Sequence, residues 1–222
     1  MNLSRLRFSA PNSLHVNDIE LPKMTSDQIE FLLEVIRETS RVDFADIDSL
    51  ISSERERNWF NKFPGEHYKF LAALSKVMNC KQVIEIGTFK GLGSLALSKF
   101  SESVITYDIV RLEMIQGHIA NLQLRKPNVK QIIGDLSEDA FFLSQEIFIA
   151  GADLIFVDGP KNKLFEEKLI PKLEQSMKPG SILVIDDIRF KIMRNLWIKL
   201  LTKPRIDMGD FAHFSGTGLV FI

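Results

Sequence analysis

The sequence predicts an α/β protein: a doubly wound, mostly parallel seven-stranded sheet with an antiparallel C-terminal hairpin at one edge. Three observations predict it. Five short apolar runs, at 83–86, 103–107, 129–133, 153–157 and 181–185, alternate with stretches of helical spacing, as a parallel sheet covered on both faces requires. Each run ends on glycine or an acid. The last two strand-like stretches, 204–210 and 217–222, lie too close together for an intervening helix, so they pair antiparallel.

The bulk numbers fit one sizeable core. At 222 residues, with 45% hydrophobic and 26% charged side chains, the chain is an ordinary globular one, divided by this reading into an N-terminal arm and helices (1–63) and a main domain (64–222). A formal charge of −1 gives no electrostatic footprint for nucleic acid. No apolar run reaches membrane-spanning length and residues 1–10 lack a continuous apolar leader core, so no membrane partner and a cytoplasmic location are the default expectations. A small-molecule or saccharide partner fits better, and a homodimer is compatible with the chain. The lone Cys80 reads as a small buried hydrophobe rather than a nucleophile.

In chain order, residues 1–23 carry Pro11, Asn12, Asn17 and Pro22 and read as an irregular arm. Thr25 and Gln28 have capping-box spacing ahead of Ile29, Leu32, Leu33 and Ile36, which recur as on one helix face. Ile47, Leu50 and Ile51 suggest a second, short helix. Trp59, Phe60 and Phe63 form an aromatic cluster that packs the N-terminal helices on the main domain, with an acceptor pocket as the alternative. From Glu66 a helix carries Leu71, Leu74 and Met78 on one face, and His67 near its start reads as surface or structural. Further helices are expected at 94–100, through Leu112, Ile115, Ile119 and Leu122 up to Pro127, at 140–149, at 164–177 with Pro171 kinking or splitting it, and at 189–201.

Function concentrates at the ends of the strands. After Val83-Ile84-Glu85-Ile86 come Gly87, Gly91 and Gly93, spaced G-x-x-x-G-x-G; glycine there permits positive φ and lets a ligand approach bare backbone at a helix start. A dinucleotide fingerprint needs G-x-G-x-x-G, and a phosphate loop needs Gly-Lys-Ser/Thr, and this turn has neither spacing. Asp108, Asp135, Asp158, Asp186 and Asp187 each fall one or two residues beyond an apolar run, where ligands of open α/β sheets sit. Any one of them also suits a turn or an N-cap. Asp108, about twenty residues beyond the glycines, is placed to accept the ribose hydroxyls of an adenosine ligand, and Asp135 to meet the adenine amino group.

These residues, from about Val83 to Asp187, resemble the motif pattern of class I S-adenosylmethionine-dependent methyltransferases, whose Rossmann-like fold has the same C-terminal hairpin. The resemblance implies S-adenosylmethionine as cofactor, with contacts at Glu85, Gly87, Phe89, Gly91, Asp108, Ile109, Asp135, Leu136 and Asp158. A narrower resemblance joins Phe156-Val157-Asp158-Gly159-Pro160-Lys161 and Ile185-Asp186-Asp187 to metal-dependent small-molecule O-methyltransferases of the catechol, caffeoyl-CoA and macrocin types. It implies Asp158, Asp186 and Asp187 as ligands of a divalent cation and Lys161 as base, acting with Asp158 on a hydroxyl acceptor. Carboxylates leaving neighbouring strands about 4.8 Å apart would repel without a cation, and oxygen ligands suit Mg²⁺, Mn²⁺ or Ca²⁺. The catechol type has Asp-Asn at the position of Asp186-Asp187, where the macrocin type is closer to this chain. Asp187 capping a helix, Lys161 neutralising the acids, and a metal-free site with Asp158 on the methionine amino group stay open, as does a nucleotide-binding oxidoreductase. His213, Phe214 and Ser215 border the expected acceptor side, His213 reading as structural.

Overall fold

The computed structural model describes residues 23–62, 65–199 and 201–222. The expected arm up to Pro22, together with Phe63, Pro64 and Leu200, lies outside the described residues.

Seven strands form one sheet: β1 (Gln82–Ile86), β2 (Ser103–Asp108), β3 (Val129–Ile133), β4 (Leu154–Val157), β5 (Ile182–Asp186), β6 (Arg205–Asp207) and β7 (Thr217–Phe221). Their order is β3-β2-β1-β4-β5-β7-β6. The first five run parallel; β7 pairs antiparallel with β5, and β6 antiparallel with β7. The strand order reverses between β1 and β4, which opens a crevice at their carboxyl ends.

Side-chain alternation divides the core. Val83, Val104, Phe156, Val184 and Leu219 face one hydrophobic cluster, covered by α1 (Ser26–Thr39), α2 (Glu54–Asn61), α3 (Glu66–Val77) and α4 (Leu92–Leu97). Ile84, Ile105, Ile155, Ile185 and Val220 face the other, where Phe142, Leu169 and Trp197 come from helices further along the chain. The N-terminal helices thus share a core with the sheet: Phe60 stacks on Phe44 with ring centroids 4.3 Å apart. Trp59, expected to join that cluster, stays partly exposed. The capping box at Thr25 and Gln28 is made in full.

Two expected elements differ. Leu112, Ile119 and Leu122 are buried as their spacing implies and Ile115 is only half-buried, yet only a 3₁₀ turn (Leu112–Met114) and the one-turn helix α5 (Leu122–Arg125) form there. Gly117 and Asn121 take positive φ (76° and 55°), and Ile119 donates its N–H to the Lys90 carbonyl instead of to a helix. Of the kink or split expected at Pro171, the split does not occur: after α6 (Asp139–Gly151), α7 runs unbroken from Leu164 to Ser176. The carbonyl that Pro171 leaves free belongs to exposed Glu167. The last helix, α8, spans Lys191–Lys199, and none of the described helices is long and apolar enough to cross a membrane.

Candidate active site

The turn after β1 is built for close approach. Gly87 has φ +106°, and a Cβ there would lie 2.1 Å from the Asp158 carbonyl oxygen, so β1 and β4 can converge only around glycine. Phe89 also takes positive φ (42°), and Gly91 (φ +85°) caps α4. The Phe89 N–H donates to Asp108 Oδ2 at 3.0 Å while the Val110 N–H donates to Oδ1 at 3.0 Å, so the acid ending β2 fixes the turn ending β1. Lys90 ties the turn to α2 through Glu56, 2.6 Å away.

A cavity of about 730 Å³ opens above this turn, within the usual range for a small-molecule cleft. Seven of the nine expected cofactor residues line it: Gly87, Phe89, Asp108, Ile109, Asp135, Leu136 and Asp158. The other two do not. Glu85 shares the face of Val83 and lies beneath the turn, accepting hydrogen bonds from Ser94 Oγ and, at 2.6 Å, from Thr106 Oγ1. Burial pushes its carboxyl up to about 8 against those two hydroxyls. Gly91 packs toward Leu122 and Leu112, away from the cavity. Gly93 matters to Glu85, since a Cβ there would fall 2.0 Å from its Oε1. Asp135 Oδ1 accepts the Ser137 N–H at 2.8 Å, which orients the carboxylate at the cavity edge.

Asp158 faces two ways. It lines the cavity, and its Oδ1 is ion-paired with Lys161, whose Nζ also lies 3.2 Å from Asp187 Oδ2. On the far side, His213 Nδ1 lies 3.6 Å from Asp186 Oδ1 and 3.8 Å from Asp187 Oδ1. The structure therefore gathers Asp158, Lys161, Asp186, Asp187 and His213 at the ends of β4 and β5. Asp187 does not cap a helix with its side chain; its backbone carbonyl accepts the Phe190 N–H, and α8 starts later.

The charges hold one another. Burial opposes the Lys161 ammonium, but Asp158, Asp186 and Asp187 outweigh it and raise its pKa. Burial likewise opposes ionised Asp186, but His213, His67 and Lys161 keep its carboxyl below the ordinary range. His213 is shifted up, burial being overcome by the same acids. Asp158 is shifted up, burial prevailing over Lys161.

Two residues that the sequence reading left out shape this end of the site. Glu166, fully buried near the start of α7, accepts the backbone N–H of Lys161 at 2.8 Å and of Lys163 at 2.9 Å, both residues at positive φ (51° and 75°). Arg189 donates to Asp207 Oδ2 at 2.7 Å, to Asp210 Oδ1 at 3.2 Å and to the Phe214 carbonyl at 3.3 Å, pinning the loop that carries His213. The first had a local signal, an acid three residues into a helix.

The chain is similar to methyltransferases in part of its sequence and in its fold. Residues 84–188, from β1 to just beyond β5, match the family model described as "Methyltransferase domain". A Dictyostelium discoideum protein named "Probable caffeoyl-CoA O-methyltransferase 3" is 27% identical over 181 residues, covering 77% of this chain; the chain spans 66% of that protein's length. Among solved structures, the O-methyltransferase TomG from Streptomyces achromogenes, involved in tomaymycin synthesis and in complex with SAM, aligns with a TM-score of 0.58 at 16% identity, covering 90% of this chain and 99% of that one. The SAH-bound methyltransferase PaMTH1 from Podospora anserina aligns at 0.54 with 16% identity, covering 91% of each chain. The likeness to these two methyltransferase structures is one of fold, a seven-stranded, mostly parallel sheet with an antiparallel C-terminal edge flanked by helices.

Proposed function

We propose that this chain is an S-adenosylmethionine-dependent O-methyltransferase that methylates a hydroxyl of a small molecule or saccharide with the help of a divalent cation. The observation that carries the reading is the position of Asp158, a wall of the nucleoside-sized cavity and at the same time a member of the Lys161–Asp187 ion-pair group.

Asp108, whose carboxylate is already oriented by two backbone N–H groups, would hold the donor's ribose hydroxyls, and Asp135, Ile109 and Leu136 would hold its adenine. Gly87 and Asp158 would hold its methionine end, with the sulfonium methyl toward the acids. The acids there fit a divalent cation: Asp186 Oδ1 is a buried carboxylate oxygen without a hydrogen-bond partner among the described residues. Such a cation supplies Lewis acidity, lowering the pKa of an acceptor hydroxyl. The acceptor oxygen attacks the methyl carbon as the carbon–sulfur bond breaks, leaving S-adenosylhomocysteine, and the hydroxyl proton passes to the Asp158–Lys161 pair. Lys161, held as an ammonium in the pair, acts as base only after it has given its own proton to solvent. Much of the acceleration comes from holding oxygen and methyl in a near-attack arrangement.

The test is incubation with deuteriomethyl-labelled S-adenosylmethionine and a panel of catechols, caffeoyl-CoA and sugars, with Mg²⁺, Mn²⁺ or EDTA, read by mass spectrometry. Label transfer to a hydroxyl with matching formation of S-adenosylhomocysteine supports the reading. Absence of donor binding, with saturable binding of NAD in its place, overturns it.

A further inference from the structure

The acids at the strand ends have different partners. Lys161 occupies Asp158 Oδ1 and lies near Asp187 Oδ2, while the remaining oxygens of Asp186 and Asp187 turn toward an imidazole. Among the described residues, Asp186, Asp187 and His213 are the side chains whose ligand atoms all fall within 4.8 Å of one another. We propose that the cation of this protein is held by Asp186, Asp187 and His213 Nδ1, with Asp158 left to Lys161, and that the site therefore takes Mn²⁺, Fe²⁺, Co²⁺ or Zn²⁺ in preference to Mg²⁺ or Ca²⁺. The cation's catalytic role rests on the methyl-transfer reading above; its ligand set does not.

Distances allow it. Two atoms each about 2.1 Å from a shared ion lie at most about 4.2 Å apart; the separations from His213 Nδ1 are 3.6 and 3.8 Å and all three ligand atoms lie within 4.8 Å of one another, so side-chain shifts of a few tenths of an ångström suffice. A second, independent observation points to a ligand here: the Asp186 side chain is only 5% exposed, yet its Oδ1, the atom facing His213, has no hydrogen-bond partner among the described residues. A buried carboxylate oxygen left in that state is costly unless a cation meets it. Charge balances as well, since a divalent ion offsets Asp186 and Asp187 while Lys161 offsets Asp158.

The chain holds these groups in place. Asp187 sits at φ +61°, a strained conformation for a residue other than glycine. The β6–β7 loop is stitched to the segment after β5 by the Ile188 N–H on the Gly216 carbonyl (3.2 Å) and the Arg189 N–H on the Ser215 carbonyl (2.9 Å). His213 is thereby brought beside β5, with Ser215 Oγ 2.6 Å from its Nδ1. That hydroxyl holds the ring and gives up the nitrogen when a cation arrives. An imidazole ligand shifts preference toward borderline transition metals, whereas Mg²⁺ and Ca²⁺ favour oxygen alone.

The test uses the full chain, prepared free of metal and labelled with ¹⁵N-histidine, titrated with Mn²⁺ and followed by pulsed EPR; calorimetry with Mn²⁺, Co²⁺ and Mg²⁺ runs alongside. Expected are a histidine-nitrogen coupling to bound Mn²⁺ and at least tenfold tighter binding of Mn²⁺ than of Mg²⁺. In His213→Ala the coupling disappears and the two affinities converge. Bound Mn²⁺ without nitrogen coupling in the unmutated protein, or no cation binding at all, overturns the proposal even if the variant fails to fold. S-adenosylhomocysteine binding, measured on the same preparation, decides the methyltransferase reading separately.

Discussion

The Glu166 carboxylate holds the loop that presents Lys161, accepting the Lys161 N–H at 2.8 Å with one oxygen and the Lys163 N–H at 2.9 Å with the other. Both donors belong to residues in the left-handed region, which side chains other than glycine rarely adopt, so the carboxylate stabilises a conformation the loop would otherwise leave. Glu166→Ala removes two charge-assisted hydrogen bonds at a fully buried position, each worth roughly 1.5–3 kcal/mol. The expected outcome in urea denaturation is a loss of several kcal/mol. Glu166→Gln, which keeps one acceptor, should lose less and retain more methyl transfer than the alanine variant.

Gly87 and Gly93 differ in what they protect. Gly87→Ala drives a Cβ into the Asp158 carbonyl and strains φ, so β1 and β4 must move apart at the cavity floor. Binding of S-adenosylhomocysteine should fall by roughly a hundredfold or more, the equivalent of about 3 kcal/mol. Gly93→Ala strikes the Glu85 carboxylate instead, which lies beneath the cavity. Thermal denaturation should therefore show the larger change in that variant, with overpacking costing roughly 1–3 kcal/mol.

Glu85 gives the fold a pH dependence of defined sign. Its carboxyl is raised from the ordinary range to about 8 in the folded chain, so the folded state holds a proton that the unfolded state releases near pH 4.5. The stability it contributes is complete below about pH 4.5 and is lost as pH rises toward 8. In Glu85→Gln that part of the slope should vanish, flattening unfolding free energy against pH between 5 and 8 in denaturant titrations.

Lys90 and Glu56 couple the N-terminal helices to the donor turn. The pair is 2.6 Å apart, with side-chain exposures of 23% and 10%, and Lys90 is adjacent to Phe89 in the cavity wall. Glu56→Ala leaves the half-buried ammonium without its partner, an effect of roughly 1–3 kcal/mol at such a site. Calorimetry should show weaker S-adenosylhomocysteine binding while the far-ultraviolet spectrum stays unchanged.

The sheet was legible because period-two alternation and strand-end acids are local signals. Val83 and Glu85 on one face, with Ile84 and Ile86 on the other, follow from side-chain alternation alone. The spacing of Leu112, Ile119 and Leu122 reported burial correctly, but it could not reveal that the Lys90 carbonyl takes the N–H a helix would have used. Helix α2 was hidden by its charged, weakly apolar sequence. Glu85 was assigned to the donor by motif, although its position in β1 turns it toward the hydroxyls of Ser94 and Thr106. His213 read as structural because its partners are 26 and 27 residues away in sequence; the signal lay in the hairpin register, in which Asp186 pairs with Thr217 and returns the preceding loop past β5.

The most direct test of the central claim is calorimetric titration of S-adenosylhomocysteine into the unmutated chain and into Asp108→Ala. Asp108 orients the Phe89 and Val110 N–H groups and faces the cavity, so saturable binding at a single site should weaken roughly tenfold or more in the variant. Equal affinity in both proteins, or binding by neither, would contradict the placement of the adenosyl donor in this cavity.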